Sequence, residues 1–229
     1  HRTWCCDPAL LLSAASGGLF WLMRDAFVAD GGRGDDLVRT LGKPVFEGYV
    51  RDLLGSLSLA DSLAGDAETP GEGLPDFYFR EGDGVLVAIE AKAPIMTESV
   101  KWSADAATLR EELTKVAKKN QLMNATERLF RHKPKSVAGV RRVFPVILVL
   151  DPAFAAPGIE AELRAAVVKP SLGCEVGDIQ VLTISDLECA GNYVARRSFA
   201  GLLSARHKSP AGLRYPLASF ISSQRELIE

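Results

Sequence analysis

Two carboxylates and a lysine crowd the ends of one short apolar stretch, Leu74–Pro94, which reads LPDFYFREGDGVLVAIEAKAP. Two runs of alternating or continuous apolar residues flank EGDG, a turn composition that predicts a β-hairpin. Asp76 stands at the mouth of the first run, and Glu90 and Lys92 at the end of the second. Strand side chains repeat every two residues, so Glu90 and Lys92 share a face. Paired carboxylates are hard oxygen donors that suit an octahedral Mg²⁺, with Mn²⁺ as the alternative ion. The Ala91 carbonyl, at a strand end, offers a third ligand. A lysine beside such an ion can orient or help deprotonate an attacking water, or stabilise charge on a phosphoryl oxygen. Carboxylates and one lysine around a divalent cation are a chemistry for phosphodiester hydrolysis.

The elements that must position these groups are legible on either side. The run PVFEGYVRDLL predicts a helix that starts at Pro44, with Phe46, Val50, Leu53 and Leu54 on its apolar face and Glu47 at the edge of that stripe. GDAETPGEG, 65–73, is loop by composition. After the hairpin, Leu109, Leu113, Val116, Met123 and Phe130 recur with helical spacing over about 103–130, interrupted by Asn120 with Gln121 beside it. VFPVILVL, 143–150, reads as a central strand buried on both faces, although Pro145 sits near its start. A helix at about 159–169 and a strand at 179–184 follow, with Ser185 as the expected cap of a helix behind that strand. The region beyond about 190 is helical or irregular and carries Arg196, Arg197, Arg206 and Lys208. The order is that of an α/β domain with a mixed sheet and helices on its faces.

With these residues in place, the chain resembles the PD-(D/E)xK nuclease superfamily. Its Pro75–Asp76 pair and, after thirteen intervening residues, Glu90–Ala91–Lys92 match that signature, and each pattern occurs once in the sequence. A helix bearing a glutamate precedes the hairpin in that family, and Glu47 occupies that place. A polar residue often projects from the helix that follows, a role open to Asn120 or Gln121. The resemblance covers roughly residues 44–150. It implies a restriction-endonuclease-like fold and a metal held by Asp76, Glu90, the Ala91 carbonyl and Glu47. It assigns catalysis to Asp76, Glu90 and Lys92. DNA is the implied substrate and a 3′-hydroxyl the implied product end, in a repair or defence protein. Residues 1–40 then form an N-terminal helical extension and 41–229 the nuclease-like domain.

Bulk composition narrows the alternatives. Hydrophobic residues at 47% and charged residues at 24% are a globular balance. The net charge of −2 favours no partner by itself, so nucleic-acid contact needs a local patch. One exists: Lys115, Lys118, Lys119, Arg128, Arg131, Lys133, Lys135, Arg141 and Arg142 stand against the single acid Glu127. Of these, Lys115, Lys118, Lys119, Arg141 and Arg142 are the candidate phosphate contacts. Four cysteines without C-x-x-C spacing exclude a zinc ribbon and fit reduced thiols in a cytoplasmic protein. Three histidines leave little for a Ser–His–Asp enzyme or a His-rich metal site. The uncharged stretch Ala9–Met23 is too short to span a membrane and reads as a buried helix capped by Asp7 and Pro8. An exposed apolar face over 8–29 would suit a homodimer or a place within a larger multidomain protein. The rival to an enzyme is a catalytically inactive nuclease fold serving as a DNA-binding or protein-interaction module.

Overall fold

The computed structural model describes residues 22–34, 36–37, 41–59, 73–82, 84–93, 107–108, 111, 113, 121–194, 198–209 and 212–223. The chain divides into two compact units, His1–Val45 and Phe46–Glu229. In the first, residues 22–29 are helical and leave Leu22, Met23, Phe27 and Val28 exposed. The expected cap at Asp7 and Pro8 lies outside the described residues. Among the described residues no helix is long and apolar enough to cross a membrane.

The second unit is an α/β structure built on a mixed five-stranded sheet. β1 (Phe77–Glu81) and β2 (Val85–Lys92) form the expected hairpin, paired from Phe77↔Ile89 to Glu81↔Val85. The turn needs its glycines: Gly82 and Gly84 both have positive φ, at 57° and 83°. β3 (Arg142–Val149) runs parallel to β2 and is the central strand, buried along nearly its whole length. Its other edge pairs in parallel with β4 (Glu175–Val176) and then β5 (Gln180–Thr183).

That divided edge explains how a central strand accommodates Pro145. β4 ends opposite Val143 and β5 begins opposite Val146, so Phe144 and Pro145 face the seam between them. A proline has no N–H for the ladder and is tolerated where pairing is interrupted.

Helices cover both faces of the sheet. On one, Phe77, Phe79, Val87, Ile89 and Phe144 pack with residues of α1 (Gly48–Leu54), α5 (Ile184–Val194), α6 (Phe199–Lys208) and α7 (Leu217–Ser223). On the other, Tyr78, Leu86, Ala88, Val143 and Ile147 pack with Leu122, Met123 and Leu129 of α2 (Gln121–His132) and with Val137 of the one-turn helix α3 (Pro134–Val137). Leu163 of α4 (Pro157–Ala166) joins that second layer.

Two helix starts differ from the sequence expectation. Pro44 does not open its helix; a wider, π-type coil over Leu41–Glu47 carries it inside and leads directly into α1. Pro44 has no N–H to give to a carbonyl four or five residues back, and the run departs from α geometry where it carries the proline. For α5 the cap is Thr183 and not Ser185. Its Oγ1 accepts from the Asp186 N–H at 3.0 Å while the Asp186 carboxylate accepts from the Thr183 N–H at 2.9 Å. The reciprocal pair is a capping box, and it needs the three-residue spacing that Thr183–Asp186 has.

Two long-range polar contacts fasten the C-terminal layer. Glu81, at the end of β1, accepts from the backbone N–H groups of Phe199 and Ala200 at 2.8 and 2.5 Å, so the hairpin helps cap α6. Arg206 of α6 is fully buried. It pairs with Glu160 of α4 at 2.9 Å and donates to Gln180 of β5 and to the carbonyls of Gly212 and Tyr215. Burial raises the Glu160 carboxyl above its ordinary range, and Arg206 opposes the shift. Replacing Arg206 with Met should cost about 3–5 kcal/mol, because it strands a buried carboxylate. Changing Arg206 and Glu160 to Met together should recover much of that loss. Urea unfolding of the three proteins is the check, and equal losses in the single and double variants would count against the pair.

Candidate active site

The hairpin register brings the charged ends together. Continuing the β1–β2 pairing one residue beyond Phe77↔Ile89 sets Asp76 opposite Glu90. Asp76, Glu90 and Lys92 follow the even-numbered positions of the face that carries Tyr78, Leu86 and Ala88, the face that α2 covers.

Their contacts are specific. Asp76 accepts from the Ala91 N–H through Oδ2 at 2.8 Å. Glu90 is 2% exposed, and its Oε1 accepts from the Lys92 ammonium at 2.5 Å and from the Gln121 amide nitrogen at 2.6 Å. The Gln121 amide oxygen in turn accepts from Lys92 at 3.1 Å. One amide at the start of α2 therefore touches both members of the ion pair, and only 12% of the Lys92 side chain remains exposed.

Glu90 Oε2 is buried and has no hydrogen-bond partner among the described residues. A buried carboxylate oxygen without a donor is costly unless a cation faces it. The Ala91 carbonyl adds to the donor set. The N–H of Ala91 turns toward β1, and in a strand the carbonyl of the same residue turns the same way. The residue opposite by register is Pro75, which has no N–H to give it. One orphaned carboxylate oxygen, a second carboxylate and a backbone carbonyl suit Mg²⁺, which uses one or two carboxylates and keeps several waters.

The other sequence-derived residues fall in different places. Glu47 stands at the entry to α1, whose Val50 and Leu54 pack on the opposite face of the sheet. Its charge reaches Glu90, but among the described residues no three His, Cys, Asp or Glu side chains converge as a metal cage. Lys115, Lys118, Lys119 and Asn120 lie outside the described residues. Arg141 and Arg142 are distant from the carboxylates. Arg142 pairs with Val85 and Glu90 with Ile147, which puts five strand residues, roughly 17 Å, between them. Arg142 bonds Glu175 through Nε and Nη2 at 2.9 and 2.5 Å. Gln121, in contrast, joins the site directly. The buried Glu160–Arg206 pair had no sequence signal, since its members are 46 residues apart.

Burial, followed by the neighbouring Asp76 carboxylate, raises the Glu90 carboxyl from its ordinary 4.5 to about 7; Glu47 adds to the rise, while the Lys92 charge and hydrogen bond oppose it. Between those two values the folded chain binds a proton that the unfolded chain has lost. Stability of the metal-free protein therefore falls as pH rises from 4.5 to about 7 and levels off above. Glu90→Gln removes this titration. In EDTA, the wild-type melting temperature should decline relative to that of Glu90→Gln between pH 5 and pH 8; parallel curves would show that Glu90 titrates normally. Mg²⁺ affinity should rise over the same interval, because the ion competes with the proton.

Comparison with family models, with curated proteins and with solved structures finds no match for this chain.

Proposed function

We propose that this protein is a metal-dependent phosphodiester hydrolase acting on DNA, with a restriction-endonuclease-like core. The observation that carries the reading is the orphaned Oε2 of buried Glu90, facing a site that already holds Asp76, Lys92 and Gln121. Asp76, Glu90 and the Ala91 carbonyl would hold the ion, and Glu47 adds negative charge nearby.

A bound Mg²⁺ or Mn²⁺ supplies Lewis-acid polarisation of a phosphoryl oxygen and a water of lowered pKa. The chain's own groups do the rest. Lys92 carries its charge on Nζ beside Glu90 and can hold a nucleophilic water in line with the phosphorus, or neutralise charge that builds on a phosphoryl oxygen. Gln121 limits the rotamers of Lys92 by accepting from it, and fixes Glu90 Oε1 so that Oε2 stays presented. The surrounding layer of Leu86, Ala88 and Leu122 keeps the base of the site dry, which strengthens each of these interactions.

Asp76→Asn and Glu90→Gln should each weaken Mg²⁺ binding by about tenfold or more, since an amide brings no charge to balance the cation. Lys92→Ala should leave the ion bound as tightly or more so, yet lower cleavage by about 100-fold, because the water loses its orienting partner. The measurement is calorimetric Mg²⁺ titration alongside cleavage of plasmid, linear and single-stranded DNA. Cleavage by Lys92→Ala at the wild-type rate would remove lysine from the mechanism. Tight DNA binding with no cleavage by the wild type would instead identify an inactive binding module.

A further inference from the structure

The outer face of α2 carries a line of polar and basic side chains that begins beside the candidate site. Gln121 is its first residue and reaches Glu90 and Lys92. Leu122, Met123 and Leu129 face the sheet, so Asn124, Arg128 and Arg131 fall on the outer side, and all three are exposed. Lys135 is exposed on α3, which follows α2 after a break at Lys133. With a rise of 1.5 Å per residue, Arg128 lies roughly 10 Å along the helix from Gln121 and Arg131 roughly 15 Å. Glu127 is the one acid on this face of α2, and its 2.9 Å pair with Arg131 is solvent-exposed, an arrangement that exchanges readily for another anion.

We propose that α2 is a rail for the DNA strand next to the scissile bond, with Arg128, Arg131 and Lys135 meeting successive backbone phosphates on one side of the cut. The inference rests on the phosphodiesterase reading for its point of origin, and it adds a substrate class. Axial phosphate spacing on duplex DNA is about 3.4 Å per strand, so cations about 10 to 15 Å from the site meet phosphates three to five nucleotides away. The enzyme therefore needs an extended duplex, and a dinucleotide or a cut within about three base pairs of an end leaves the rail empty. The charge on the rail is sequence-blind, so it contributes affinity and register without selecting bases.

The test is duplex binding in Ca²⁺ over a salt series, using a 20-base-pair duplex of mixed sequence and the full chain. The Arg128→Gln/Arg131→Gln/Lys135→Gln variant should show a log–log salt slope smaller by about 2.7, at about 0.9 per lost phosphate contact. Arg128 also donates to the Gly73 carbonyl, so the Arg131→Gln/Lys135→Gln variant, which spares that bond, is run beside it with an expected reduction of about 1.8. Slopes equal to wild type in both variants, or no duplex binding by the wild type, would overturn the rail. Failure of the underlying reading looks different. Wild type that binds the duplex with the rail-dependent slope but cleaves nothing in Mg²⁺ keeps the rail and loses the hydrolase. Wild type that hydrolyses bis(p-nitrophenyl) phosphate in a Lys92-dependent way, with no rail-dependent slope, keeps the hydrolase and loses the rail.

Discussion

The larger unit hangs on β3, which is bonded along one edge to β2 and along the other to β4 and β5 while both its faces are covered. A strand enclosed in this way has no polar side to spare, and the sequence VFPVILV answers with apolar residues throughout. Because β2 is locked to β3 for eight residues, the end of β2 cannot slip without moving every side chain to the wrong face. The charged end of β2 is therefore held by a register fixed elsewhere. Glu90 sits at 2% exposure because the sheet holds it there, not because a carboxylate favours the position.

That forced burial gives the site its electrostatic character. Glu90 meets one cation and two other carboxylates, and the balance leaves it harder to ionise than a carboxylate in water. Lys92 alone does not compensate, since it bonds only Oε1 and is shared with Gln121. The arrangement has an unmet demand for positive charge in one direction, and this distinguishes it from a finished internal ion pair. Glu160 and Arg206 provide the contrast within the same molecule. There both carboxylate oxygens are engaged, by Arg206 Nη1 and Nη2 and by the Val181 N–H, and the pair serves packing.

What the sequence disclosed followed from short-range rules. The hairpin was legible from two apolar runs around EGDG, and β3 from its unbroken apolar stretch, because both signals are local and strong. Asp76, Glu90 and Lys92 could be placed on one face by counting in twos. Gln121 was readable as a polar residue beside the break at Asn120 and, through the family resemblance, as a candidate companion of the hairpin; that it spans Glu90 and Lys92 depends on how α2 lies across β2, which no local pattern encodes. The start at Pro44 misled because a π-type coil admits an internal proline, and Ser185 because Thr183, two residues earlier, also caps and has Asp186 at the right spacing. Arg142 was legible as a basic residue suited to a phosphate; its place at the start of β3, at the far end of the sheet from the carboxylates, follows from the strand register. Arg206 read as one more basic residue of an irregular tail, since its anion comes from another helix.

The contact between Glu81 and the start of α6 has a consequence for the order in which the chain can assemble. The hairpin closes through a few residues and can form within microseconds. Its terminal carboxylate, however, meets partners 118 and 119 residues further along. Closing so long a loop is entropically expensive until the intervening layers have condensed, and such distant pairings slow folding. The N–H groups of Phe199 and Ala200 thus remain in water until the sheet is complete. Docking of α6 becomes a late event that depends on a hairpin formed more than a hundred residues earlier in the chain. A nascent or truncated chain lacking this segment leaves Phe79 and Ile89 without the apolar cover that α6 and α7 supply.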